Sequence, residues 1–263
     1  MEKVIKDCLF YYGSQVPLLA KTKVLKNTNV ILQDYHPVVH QGLFKEFFPH
    51  CQRFLYLNVS HIHRNELSLY DINLKDLKYN PEWETYLLNL NLQSTADLII
   101  TKAKSLLKIE GVDGIFIDDL DFWCEFPEIR LAFTELLNKI KNAREREVKF
   151  IVNRGFPLWN KIEGLEAIVL ENIYPEQIYT AREIDLSWFE NLIRLNFSLM
   201  HFDKKEVPVF GLKYLGNDDD VEFDRDFESG EKRDSLYREM NKNILKTLKY
   251  ERSFNQWPQQ LIS

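Results

Sequence analysis

Short apolar runs rich in β-branched and aromatic residues recur along the chain, and longer stretches of a different rhythm lie between them. The runs fall at 8–12, 30–35, 54–60, 114–118, 148–153, 167–171, 207–214 and 250–254. Near-continuous apolar runs of this length suit strands covered on both faces, as in a parallel sheet. The intervening stretches repeat every three or four residues. Residues 84–107 carry Leu87, Leu88, Leu92, Leu98, Ile99, Ala103, Leu106 and Leu107, and 128–141 carry Ile129, Ala132, Phe133, Leu136, Leu137 and Ile140. Both predict amphipathic helices. A shorter helix is expected at 42–48, and two more at 185–202 and 229–248. Eight strands alternating with helices over 263 residues predict a (β/α)8 TIM-type barrel, with the whole chain, 1–263, as one domain. A doubly wound open sheet is the alternative. No repeat, low-complexity tract or linker interrupts the pattern.

Composition narrows the partners. Hydrophobic residues at 45% provide a large core, and a net charge of −6 argues against nucleic acid. Cys8, Cys51 and Cys124 are odd in number and widely spaced, which suits neither a disulfide framework nor a zinc site. No stretch has the length and apolarity of a membrane span, and "MEKVIKDCLFYYG" leaves no room for the apolar core of a signal peptide. A cytoplasmic protein without membrane insertion is the expectation as the sequence stands. If it acts outside the cell, the sequence is a trimmed piece.

The polar residues cluster where strands stop. The second strand ends in Asp34 and Tyr35, the third in Asn58 and Ser60, the fourth in Asp118, Asp119 and Asp121. The fifth ends in Asn153 and Arg154, the sixth in Glu171 and Asn172, the seventh in Lys213 and Tyr214. In a barrel these ends share one face, where active sites sit. "GIFIDD" and "AIVLEN" each place a carboxylate directly after a buried run. Asp118 and Glu171 would then stand two strands apart on the rim, as a pair flanking a glycosidic bond does. Each acid alone reads equally well as a cap or an ion-paired structural residue. Asn153 is a candidate donor to a sugar hydroxyl or to the catalytic carboxylate, or else, with Arg154 and Gly155, part of a turn. Tyr12, Tyr35, Trp123 and Tyr214 could stack on sugar rings or simply pack the rim. Residues 216–234 hold nine acidic and three basic residues; they read as a solvated loop, or as a rim that attracts a cationic substrate.

"LFYYG", "RFLYLNVS", "GVDGIFIDDLDFW", "FIVNRGF" and "AIVLEN" follow one another in the order and spacing of a known glycoside hydrolase family. The chain resembles the endo-α-1,4-polygalactosaminidase-like family, related to the hydrolase domains that trim Pel and galactosaminogalactan. The resemblance runs from the first strand to the seventh. It implies a (β/α)8 fold and cleavage of α-1,4 bonds in partly deacetylated galactosamine polymers, with polysaccharide or oligosaccharide as substrate and no cofactor. It also implies that Asp118 and Glu171 are the catalytic pair, with Asp118 as nucleophile and Glu171 as acid/base if configuration is retained, and with one of them activating water if it is inverted. Asp119 stands where the family often has Asn, and Asp121 matches its second conserved acid. One departure concerns the residues after the third strand. The family continues Gly-Glu there, whereas this chain reads Ser60-His61.

Two rivals come from other classes. "HIH", His61 and His63, could hold a divalent metal at a strand end, joined by His36 and Asp118, as in metal-dependent hydrolases. The plainer expectation for both histidines is a loop touching sugar or solvent. A barrel that binds carbohydrate without cleaving it is the other rival.

Overall fold

The structure, a computed structural model, describes residues 7–69, 77–81, 84–88, 92–120, 127–142, 147–155, 158, 161–171, 207–215 and 246–251. Eight parallel strands pair in simple chain order: β1 (Asp7–Tyr11), β2 (Thr28–Leu32), β3 (Gln52–Asn58), β7 (Gly114–Asp118), β8 (Lys149–Asn153), β9 (Leu165–Glu171), β10 (Val209–Leu215) and β11 (Lys246–Glu251). Cys8 and Phe10 of β1 belong to one apolar cluster with Phe54, Phe116, Ile151, Val169, Phe210 and Leu212. A flat sheet would keep the first strand far from the seventh, so the sheet is curled into a barrel with this cluster inside. A second, larger cluster lies outside the strands and includes Leu9, Val30, Leu55, Ile115, Ile117, Val152, Ile168 and Leu170. Alternate residues of each strand serve the two layers. This is the (β/α)8 barrel that the pattern predicts; the open sheet is excluded.

The helices cover the outer layer. α4 (Gln93–Lys108) buries Leu98, Ile99, Ala103, Leu106 and Leu107, the stripe read from the sequence, and packs on β3 and β7. α5 (Pro127–Lys141) runs beside it with Leu136, Leu137 and Ile140 buried. α1 (Leu19–Thr22), α2 (Pro37–His40) and α3 (Phe44–Phe47) are single turns. Among the described residues no helix is long and apolar enough to cross a membrane. The expected helices at 185–202 and 229–248 lie outside the described residues, except that 246–248 belong to β11.

Two expectations are corrected. Residues 84–87 are not helical: Thr85–Leu87 form β6. His61 and His63 do not sit in a loop. They form β4 (His61–His63), which pairs antiparallel with β6, and β6 in turn pairs with β5 (Lys78–Asn80). Three-residue strands are too short to carry a periodic signal, so the apolar Leu87 and Leu88 were absorbed into the following helical pattern.

A buried arginine fixes the β3–β7 register. Arg53 pairs with Asp113 at 2.7 Å and donates from its guanidinium to the carbonyls of Phe48, Cys51 and Gly111; its N–H also donates to Asp113 Oδ2, and its carbonyl accepts the Asp113 N–H. With that end locked, Asn58 lies opposite Asp118 at the other.

Candidate active site

At the C-terminal end of β7 the chain turns sharply. Asp119 adopts φ +57°, where few non-glycine residues sit. This turn sends the carboxylates of consecutive residues to different partners. Asp118 Oδ1 accepts from the Asp119 N–H at 2.9 Å and from Asn153 Nδ2 at 2.8 Å, and Oδ2 accepts from Tyr56 Oη at 2.8 Å. Three donors from three strand ends converge on one carboxylate. Asn153, expected as a donor to a sugar hydroxyl or to a carboxylate at the strand end, donates to Asp118.

Asp119 turns toward β3. Its Oδ2 accepts from Asn58 Nδ2 at 2.7 Å, Ser60 Oγ at 3.0 Å and His61 Nδ1 at 3.0 Å. Asn58 is oriented by its own turn, because its Oδ1 accepts the backbone N–H groups of Ser60 and His61 at 2.9 and 2.8 Å. The amide nitrogen is therefore left to face the carboxylate. Burial alone would raise the Asp119 carboxyl, and it is the largest single influence. The hydrogen bonds from His61, Asn58 and Ser60 outweigh it and hold the group below its ordinary value, so it is anionic at neutral pH. Ser60, His61 and Asp119 have the composition of a hydrolytic triad but not its geometry. Ser60 Oγ meets His61 Nδ1 at 2.7 Å, the same nitrogen that meets Asp119. A triad needs serine and carboxylate on opposite ring nitrogens.

Tyr56 links the two carboxylates. Its hydroxyl donates to Asp118 and accepts from Asn58 Nδ2 at 3.3 Å. Burial, reinforced by Asp118, Tyr12 and Asp119, pushes this phenol well above its ordinary value, so it stays a donor. The ring packs edge-on against Tyr12 at 5.1 Å. On β8, Arg154 and Gly155 follow Asn153 with φ +54° and +72°, and a Cβ on Gly155 would lie 2.2 Å from Leu120. The turn reading of these two residues holds for the backbone.

The remaining candidates divide. Asp34 is exposed and Tyr35 is 60% exposed, its hydroxyl donating to the Tyr12 carbonyl; neither touches the Asp118 cluster among the described contacts. Glu171 ends β9 at a register position two beyond Val169, whose side chain is inside the barrel. Tyr214 lies in β10, four positions beyond Phe210. The side chains of Glu171 and Tyr214 lie outside the described residues, as do Asp121, Trp123, Cys124 and the whole acidic stretch at 216–234. The metal rival loses its ligand set: His36 is fully buried, with Nδ1 accepting from Val38 and Nε2 at the Gln15 carbonyl. Among the described residues no group of three or more His, Cys, Asp or Glu could hold a metal ion.

Sequence reasoning missed Tyr56 and undervalued Ser60 and His61. The signal for Tyr56 was parity, since it stands two residues before Asn58 on the same strand face. For Ser60-His61 and Asp119 it was their shared departure from the resembled family: the departing residues are in contact with one another.

No family model matches the chain, and no curated protein matches it by sequence. Solved structures do match in fold. The glycoside hydrolase domain of PelA from Pseudomonas aeruginosa is similar with TM-score 0.63 and 19% identity, over 95% of this chain and 96% of that one. Aspergillus fumigatus Ega3 in complex with galactosamine gives TM-score 0.56 and 13% identity, over 97% and 94%. An α-amylase from Geobacillus thermoleovorans, complexed with acarbose, gives 0.52 and 11%, over 96% and 72%. In fold, the chain is a (β/α)8 barrel like these glycoside hydrolase domains.

Proposed function

We propose that the protein is a glycoside hydrolase that cleaves α-1,4-linked galactosamine-containing polysaccharide with two carboxylates, Asp118 and Glu171. The observation that carries this reading is the Asp118 carboxylate, held at the barrel mouth by Tyr56, Asn153 and the Asp119 N–H. A carboxylate surrounded by donors suits a nucleophile that must be ionised before attack. Glu171 belongs to the second strand along, and its backbone position is two residues further toward the mouth. That offset amounts to roughly 10 Å across the strands and about 7 Å along them between backbones, which is compatible with carboxyl groups close enough to flank one glycosidic bond. The galactosamine complex of the similar Ega3 structure supports the choice of sugar.

In the proposed reaction Asp118 attacks the anomeric carbon while Glu171 gives its proton to the departing glycosidic oxygen. The C–O bond breaks and a glycosyl ester forms. Water then attacks the anomeric carbon, its proton passing to Glu171, and the C–O bond to Asp118 breaks so that Asp118 leaves as carboxylate. Both residues return to their starting states, so the cycle needs no cofactor. Asp118→Asn and Glu171→Gln keep shape while removing the ionisable group. Each is expected to lower cleavage of a galactosamine polymer by about three orders of magnitude or more with binding largely kept. Wild type that binds the polymer and never shortens it would turn the reading into that of a carbohydrate-binding barrel.

A further inference from the structure

All three side-chain donors on Asp119 go to Oδ2. Its Oδ1 makes no hydrogen bond among the described residues, and the side chain is 36% exposed. His61 is lopsided in the same way. Its Nδ1 faces Asp119 and Ser60, while Nε2 has no hydrogen-bond partner among the described residues. Beside an anionic carboxylate, Nδ1 must carry the proton, because a bare nitrogen there would set lone pair against lone pair. In the neutral ring Nε2 is then an acceptor. The cluster has spent its donors internally and offers outward only a carboxylate oxygen and an imidazole lone pair. Among the described residues the pair holds out no donor to an anion, whereas a group bringing N–H and O–H donors with positive charge would satisfy both.

We propose that Asp119 and His61 form a sugar-recognition pair beside Asp118, with Asp119 Oδ1 binding the ammonium of an N-deacetylated amino sugar and His61 Nε2 accepting from a sugar hydroxyl. The proposal rests on the glycosidase reading and deepens it. The two ring nitrogens of His61 point in divergent directions, so the pair addresses two substituents of a sugar rather than one atom. The positive φ of Asp119 carries its carboxylate back to β3, and the Asp119 N–H stays on Asp118. The recognition group and the proposed nucleophile are therefore consecutive residues in one rigid turn. An acetamido group neutralises the nitrogen and replaces its cationic donors with a single N–H and a carbonyl acceptor, which Asp119 would repel.

The test is calorimetric titration of the Asp118→Asn protein, in which turnover is blocked, with a galactosamine trimer and its fully N-acetylated counterpart. The deacetylated trimer is expected to bind about 10-fold or more tighter, as one charge-assisted hydrogen bond provides. Adding Asp119→Asn, which keeps an oxygen for the three internal donors, should shrink that preference to within about 2-fold. It should leave the acetylated trimer no weaker, and somewhat tighter as the repelled carbonyl meets an amide donor. Adding His61→Ala should weaken both trimers alike, since the hydroxyl is common to them. Equal binding of the two trimers, or an equal loss of both on Asp119→Asn, would overturn the pair. A second readout uses the unsubstituted protein: the His61 Nε2 resonance should move on adding galactosamine, and a resonance unmoved at saturation would also overturn it. Preference through Asp119 without cleavage by wild type would remove the glycosidase reading and leave the subsite, whereas cleavage without preference would do the reverse.

Discussion

Tyr56 shows how one polar atom on an otherwise apolar side chain can organise a site. Its ring packs against Tyr12 and Phe116 on the inner layer, while its hydroxyl joins the Asp118 and Asp119 networks through Asn58. Read from the sequence, a tyrosine inside "RFLYLNVS" is a core residue, and for its ring that is correct. Only the pairing of β3 with β7 shows that the hydroxyl meets a carboxylate, and pairing is not legible in one strand alone. Asp118, Asn58 and Asn153 were legible because a polar residue that ends a buried run has nowhere to go but the mouth. Tyr56→Phe retains the packing and deletes the bond to Asp118. A hydrogen bond to a charged group contributes about 1.5–3 kcal/mol, so kcat/KM on the polymer is expected to fall by about 10–100-fold. The melting temperature should move by only a few degrees. Unchanged kinetics in the phenylalanine variant would remove Tyr56 from the catalytic network.

Among the elements, the barrel strands were the most legible and the accessory sheet the least. Seven of the eight barrel strands lie where the apolar runs predict, with ends displaced by a few residues, whereas β11 shares only 250–251 with the run at 250–254 and begins in the stretch expected to be helical. The displacement has a cause: side chains such as those of Val59 and Ser60 remain buried after the ladder ends at Asn58, so burial outlasts strand geometry. The antiparallel β4–β6–β5 sheet left no trace, and with it went the true context of His61. The β3–β7 ladder rests on Arg53, whose side chain is 9% exposed and whose guanidinium serves Asp113 and three carbonyls at once. Arg53→Met keeps the aliphatic stem but strands those acceptors. Breaking a buried charge pair costs about 3–5 kcal/mol, and the partly exposed Asp113 points to the lower end of that range. Urea denaturation should show a loss of about 3 kcal/mol, with faster amide exchange in β3 and β7. A midpoint within error of wild type would mean that the strand ladder holds its register without the arginine.

For the whole molecule, charge acts at two ranges that experiment can separate. Net charge is −6, and residues 216–234 concentrate nine acids against three basic residues. A field of that kind attracts a polycation over distance, and salt screens it within about 8–10 Å at ordinary ionic strength. A contact such as the proposed ammonium on Asp119 lies inside that length and is screened far less. Cleavage of deacetylated polymer should therefore fall several-fold between low and high salt, while cleavage of acetylated polymer should stay nearly flat. The Asp119→Asn loss should persist at high salt after the long-range advantage is gone. Replacing Asp218, Asp219 and Asp220 with Asn should flatten the salt curve and leave the high-salt rate unchanged. Both curves should survive exhaustive chelation, because the proposed pair of carboxylates would move the proton and hold the charge without an ion. Activity lost to a chelator and restored by a divalent metal would reject the two-carboxylate mechanism. Equal salt dependence for the two polymers would instead remove long-range attraction of the substrate while leaving the chemistry at Asp118 standing.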